Sequence, residues 1–208
     1  MLTPEVALSF FGIAVLLSLS PGPDNLFVLM QSAMWGRGAG LWFVLGLCTG
    51  LVGHTLAVSA GLAAVFAATD AAFLIVKLAG ATYLAYLGWA ALRAGASTRA
   101  GQPPPKQSAG QLYRRGIIMN LTNPKVSIFF LAFLPQFASP LRGSMGAQML
   151  LLGGLFIAAT LLVFSLIALF SGTIGERLQR SASVQTWLHR AAGVVFLGLA
   201  LKLLSSQR

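Results

Sequence analysis

Asp24 and Lys125 each directly follow a proline inside a long apolar stretch, the first in LSPGPDNLFV (19–28) and the second in NLTNPKVSIF (120–129). A charge at the bilayer centre costs about 2.5–3.5 kcal/mol even on the lenient insertion scale, so neither side chain belongs against lipid. Each needs a partner of opposite sign, which is either the other residue, in a structural ion pair, or a ligand. A zwitterionic amino acid satisfies both at once, its ammonium near Asp24 and its carboxylate near Lys125. Asn25, Asn120 and Asn123 stand beside the same prolines and can cap exposed backbone or contact that solute. His54, in GLVGHTLAVS, changes its charge near physiological pH and is, with Asp24, a candidate proton carrier; a hydrogen-bonded interior imidazole is the plainer alternative. Gln31 lies about two helical turns beyond Asn25, toward the same face.

The elements that must position these groups are interrupted helices. Pro21, Gly22 and Pro23 break the first stretch and Pro124 breaks the second. Proline removes a backbone donor and clashes with the preceding turn, and unwound backbone at membrane depth survives only where protein or trapped water satisfies it. Past each break a new helix can start, capped by Asp24 or Asn25 beside Pro23 and by Thr122 or Asn123 beside Pro124. Its first N–H groups then offer partial positive charge to an anion such as a substrate carboxylate.

The chain is 57% hydrophobic and 9% charged, with mean hydropathy +0.82, against about a quarter charged in soluble domains. This composition reads as an all-α polytopic membrane protein. The net charge of +10 sits mostly between apolar segments, as topology signals do, which argues against a nucleic-acid partner. Cys48 is the single cysteine, so no disulfide, dithiol pair or cysteine-based zinc site is expected, and no cofactor or metal. The N-terminus lacks a basic n-region and an A-x-A-like site, so the first apolar segment is expected to be retained.

Six stretches approach the roughly 20 apolar residues that a crossing helix needs: residues 5–33, 40–67, 71–92, 112–138, 147–171 and 186–204, the first and fourth broken near the midplane. A Gly-, Pro-, Ser- and Gln-rich connector (94–111) separates a first three-helix unit (1–93) from a second (112–208). Arg37, Arg93, Arg99, Lys106, Arg114, Arg115, Arg177, Arg180 and Arg190 fall on one side, which is expected to be cytoplasmic, with both termini outside. PDNLFV (23–28) lines up with PKVSIF (124–129), and KLAGATYL (77–84) with RAAGVVFL (190–197). Three spans per copy make the two units inverted repeats, the plan of many secondary transporters. Gly46, Gly50 and Gly53 form a small-residue stripe for close helix packing, and glycine-rich spans permit a homodimer.

LSPGPDNLFVL, VKLAGATYLAYLGWAALR (76–93) and NLTNPKVSIFFLAFLPQF (120–137), in this order and with the polar connector between the second and third, resemble the LysE/RhtB family of bacterial lysine and homoserine/threonine exporters. The resemblance implies an inner-membrane translocator that exports amino acids or close derivatives using the proton motive force. Its motif covers Pro21, Gly22, Pro23, Asn120, Asn123, Pro124 and Lys125, and it admits Asn or Asp at the position of Asp24. Neutral amino acids (threonine, homoserine or leucine) fit one deep acid better than lysine does. The rival classes are weaker. An ion channel or metal transporter would have one deep acid for a hard cation. An intramembrane enzyme would have Ser59 near His54 but no nucleophile motif, so the chain is not expected to be an enzyme.

Overall fold

The structure, a computed structural model, describes residues 2–20, 22–67, 70–93, 106–171 and 182–205. Among these residues the regular structure is helical throughout, with no strand. Helices α1 (Pro4–Leu19) and α2 (Pro23–Trp35) meet at 64°, and α5 (Ala109–Leu121) and α6 (Pro124–Ile128) fall in a second bent pair of 50°. Between and after them run α3 (Arg37–Ala67), α4 (Asp70–Arg93), α7 (Met145–Leu169) and α8 (Ala182–Ser205). Two of these, over Arg37–Gly61 and Met145–Leu169, are long and apolar enough to cross a membrane, and counting each bent pair as one span gives up to four among the described residues. Leucines along α1, α3 and α7 remain exposed, which is how helices that are apolar all round sit in lipid. The chain is a multi-pass membrane protein.

Side-chain caps start several of these helices. The Thr3 side chain accepts the Val6 N–H ahead of Pro4, and Ser144 accepts the Ala147 N–H ahead of α7. Ser108 and Gln111 form a reciprocal capping box, so α5 begins at Ala109, inside the expected connector. That pairing satisfies two end groups at once and outweighs the polar composition of residues 109–111. Residues 94–105 of the connector lie outside the described residues.

The break in the fourth expected span is more elaborate than a single kink. After α6 the chain widens into a π-helical turn, Phe129–Phe133, in which the Leu134 N–H reaches back five residues to the Phe129 carbonyl. Pro135 has no N–H to continue the ladder, and the helix tightens into a 3₁₀ turn, Leu134–Phe137. The loop beyond is pinned by the buried Gln148 amide. Its Oε1 accepts the Ser139 N–H (3.1 Å), and its Nε2 donates to the carbonyls of Ser139 (2.9 Å) and Gly143 (3.2 Å).

Helix α3 packs on α5 and α7, α4 on α8, α1 on α7, and α2 on both α3 and α7. The glycine stripe of α3 makes the crossing with α5 possible. A Cβ at Gly46 would strike the Tyr113 carbonyl, one at Gly50 would lie 2.7 Å from the Asn120 side chain, and one at Gly116 would strike the Phe43 carbonyl. At the α4/α8 crossing, Gly88 faces the Gly193 carbonyl and Leu197, while Gly193 faces the Gly88 carbonyl and Leu92. The contact therefore pairs Gly193 with Gly88. The interface selects the glycine that lets the two backbones touch.

Buried side chains form two apolar layers. One holds Phe10, Leu17, Leu51, Phe129, Phe130, Phe133, Phe137 and Phe156, with Phe10 edge-on to Phe137 at 5.1 Å. The other holds Val28, Phe43, Val44, Leu47, Phe164 and Ala168. By their places along α1, α2 and α7, the buried polar residues Ser18, Ser20, Asp24 and Thr160 lie between the layers.

Gly46→Ala and Gly116→Ala should each destabilise the protein by about 1–3 kcal/mol, because the added methyl meets backbone that cannot turn aside. Gly154→Ala, where nothing lies within 4 Å, should leave the thermal unfolding midpoint in detergent unchanged or slightly raised.

Candidate functional site

The two breaks meet in the polar level. Asp24 on α2 is 6% exposed and Asn123, just ahead of α6, is 8% exposed. The Asn123 Nδ2 donates to Asp24 Oδ2 at 2.8 Å, while its Oδ1 accepts the Lys125 N–H at 3.0 Å. One side chain thus caps α6 and joins the halves of the chain across 99 positions. Lys125 is half-buried; its Nζ donates to the Ser20 carbonyl at 3.5 Å, beside the end of α1. Asn123, rather than a direct ion pair, links the Asp24 carboxylate to the α6 end.

Gly22 is the point around which these groups close. A Cβ there would lie 3.5 Å from Lys125 Nζ, 3.8 Å from Asn25 Oδ1 and 3.9 Å from the Ser20 carbonyl. Gly22 is also the N-cap of α2, with no side-chain cap hydrogen bond. This corrects the expectation that Asp24 or Asn25 caps that turn. Asn25 instead turns back, its Nδ2 donating to the Ser18 carbonyl at 2.7 Å, because the last carbonyls of α1 also need donors. At the second break Asn123 caps as expected, and the Thr122 hydroxyl donates to the Ile118 carbonyl at 2.8 Å. The breaks are therefore chemically unequal: α6 has its leading N–H occupied by Asn123, and α2 starts on a bare glycine.

The remaining predicted residues group around this centre. Asn120 is 3% exposed and packs against Gly50. Its carbonyl accepts the Asn123 N–H at 3.1 Å and lies 3.3 Å from His54 Nε2. A carbonyl only accepts, so His54 carries its proton on Nε2 there and satisfies backbone freed by the break. The imidazole also lies 5.6 Å from the Phe130 ring. Asp24 Oδ1, Asn25 Oδ1 and Asn120 Oδ1 are buried without a hydrogen-bond partner, leaving three acceptors at the level where the halves meet. Pro23 and Pro124 each open a helix at its first turn. Pro21 lies outside the described residues.

Sequence reasoning missed three features. Ser18 and Thr160 approach each other at 3.4 Å between α1 and α7, two buried hydroxyls 142 positions apart, and nothing local signals that pairing. The Ser20 carbonyl as a lysine acceptor depends on how the chain turns at the break. The π turn at Phe129–Phe133 had a visible cue in the dense FFLAFLPQF run (129–137), whose Pro135 prevents a regular ending.

Paired broken helices beside a polar, partly unsatisfied level between two apolar layers are a construction used by membrane translocators. The chain matches the LysE type translocator family over residues 15–207 and belongs to that family. It is 35% identical over 195 residues to the homoserine/homoserine lactone efflux protein of Salmonella typhimurium, covering 94% of this chain and 93% of that protein. It is 30% identical over 203 residues, 98% of each chain, to an uncharacterized membrane protein of Vibrio cholerae. A third relative, an uncharacterized membrane protein of Bacillus subtilis, is 26% identical over 206 residues, covering 94% of this chain and 96% of that protein. No solved structure matches.

Asn123→Ala should lower stability by roughly 2–4 kcal/mol, from a lost cap and a lost hydrogen bond to a carboxylate. Asn123→Asp keeps the cap acceptor but sets a carboxylate against Asp24. Thermal unfolding in detergent at pH 8 should place it no higher than the alanine variant, and at pH 5 closer to wild type.

Proposed function

We propose that this translocator exports neutral amino acids or close derivatives, homoserine, threonine, leucine or homoserine lactone among them, across the bacterial inner membrane. The observation that carries the reading is the meeting of Asp24, Asn123 and Lys125 at the paired breaks. The α-ammonium of the substrate binds Asp24 and the unpartnered oxygens of Asn25 and Asn120; its carboxylate, or in homoserine lactone the neutral ester carbonyl, accepts from Lys125 Nζ and the uncapped start of α2. The name of the Salmonella relative supports a substrate of this class.

The working cycle is alternating access by two inverted three-helix units, 1–93 and 112–208, that together cross the membrane six times. The packing supports it, because exchanging first span with fourth, second with fifth and third with sixth maps the α3/α5 contact onto α1/α7 and returns α4/α8 and α3/α7 to themselves. Cations gather at one end, with Lys106 5.9 Å from the Trp35 ring, Arg115 4.4 Å from Phe27 and Arg93 4.4 Å from Trp89. That end and the 94–111 connector are assigned to the cytoplasm and both termini to the outside. Inward proton flow drives export. Asp24 is the favoured carrier, since the hydrogen bond of His54 to Asn120 supports a holding role. A homodimer through lipid-facing helices is compatible with this cycle.

Counterflow of radiolabelled homoserine, threonine and lysine into proteoliposomes tests the reading. Uptake of the neutral pair above lysine is expected, and its absence for all three rejects the proposal. Lys125→Ala should raise KM about tenfold or more, as expected for losing a charged hydrogen bond. Asp24→Asn should raise KM through the weaker hold on the ammonium, still carry exchange at saturating substrate, and lose stimulation by a proton gradient. If instead His54→Gln loses that stimulation and Asp24→Asn keeps it, the carrier is His54.

A further inference from the structure

Helix α2 carries a second polar pair that the site above does not use. Gln31 is 0% exposed and Ser32 3% exposed, and Gln31 Nε2, Gln31 Oε1 and Ser32 Oγ all lack a hydrogen-bond partner. They follow Asp24 and Asn25 at a spacing of two helical turns, so each falls on the same face as its counterpart, about 10 Å further along the axis. Val28 and Leu29, both buried, separate the two pairs. Ser32 packs against Gly40 of α3, where an added Cβ would strike the Ser32 hydroxyl and lie 3.1 Å from the Ala168 methyl of α7. The second pair thus lies at the Arg37 end of the layer formed by Val28, Phe43, Leu47 and Phe164.

A fully buried primary amide with neither its N–H nor its carbonyl paired is costly and rare. Leucine or methionine fills the same volume without that cost. We infer that Gln31 and Ser32 form a second, uncharged station for the transported zwitterion, between the Arg37 end of the bundle and the break, with the Val28–Phe43–Leu47–Phe164 layer as the barrier between stations. The amide suits both ends of an amino acid: its N–H donates to the carboxylate, and its carbonyl accepts from the ammonium. Being neutral, it holds the solute less tightly than Asp24 and Lys125 and lets it pass on. The inference rests on the proposed function, because it takes the same solute to be the cargo.

Gln31→Leu and Ser32→Ala in the full chain test it, using counterflow of radiolabelled homoserine in proteoliposomes together with thermal unfolding in detergent. Removing an orphaned amide should leave the unfolding midpoint of Gln31→Leu equal to or above wild type. Its kcat/KM should fall about tenfold, the loss of a hydrogen bond to a charged group. Ser32→Ala should lose about threefold at an unchanged midpoint. Unchanged kcat/KM in both variants overturns the station, and so does a midpoint of Gln31→Leu that falls together with transport, which marks a packing role. If wild type takes up no amino acid, the proposed function fails first; if wild type transports and the variants match it, only the station fails.

Discussion

Backbone interrupted at membrane depth must find its hydrogen-bond partners inside the protein, and that constraint organises this bundle. Among the described residues two helix pairs are bent at such a break. At each break the chain leaves carbonyls at the end of one helix and N–H groups at the start of the next. Asn25, Lys125 and His54 reach the carbonyls of Ser18, Ser20 and Asn120, and Asn123 reaches the leading N–H of α6. The residues proposed to bind the substrate are thus largely the ones that make the breaks tolerable. A group that satisfies backbone in one arrangement is available to a solute in another, so a broken helix and a binding site go together.

Close approach of the helices is the second requirement, since the Asn123 to Asp24 bond needs the halves of the chain in register. Lipid tails offer no hydrophobic drive to bring helices together, and packing of small residues substitutes for it. Gly46 and Gly116 let α3 and α5 touch along their backbones, and Gly50 makes room for Asn120 beside the second break. Gly88 and Gly193 do the same for α4 and α8. The phenylalanine layer on one side of the breaks and the Val28–Phe43–Leu47–Phe164 layer on the other then exclude lipid and solvent from the polar level.

Much of this was legible in the residues. The prolines marked both breaks, Asp24 and Lys125 stood out by cost alone, and the glycine stripe of α3 announced a close crossing. What was not legible came from partners distant in sequence. Asn25 was a reasonable cap by position, yet the carbonyl of Ser18 competes for its amide, and that carbonyl is near only because α1 and α2 meet at 64°. Likewise the contact of Gly88 with Gly193 depends on how α4 and α8 cross.

The sequence by itself determined that the chain enters a membrane as interrupted helices and that its two deep charges lie beside those interruptions. Hydropathy, proline and the cost of a charge in hydrocarbon act locally and need no knowledge of neighbours. Only the tertiary structure decided that Asn123 links Asp24 to the α6 end, that His54 holds the Asn120 carbonyl, and that Gln31 is enclosed with its amide unpaired. Hydrogen bonds are satisfied within about 3 Å, and which groups come that close across a hundred residues is set by how helices cross.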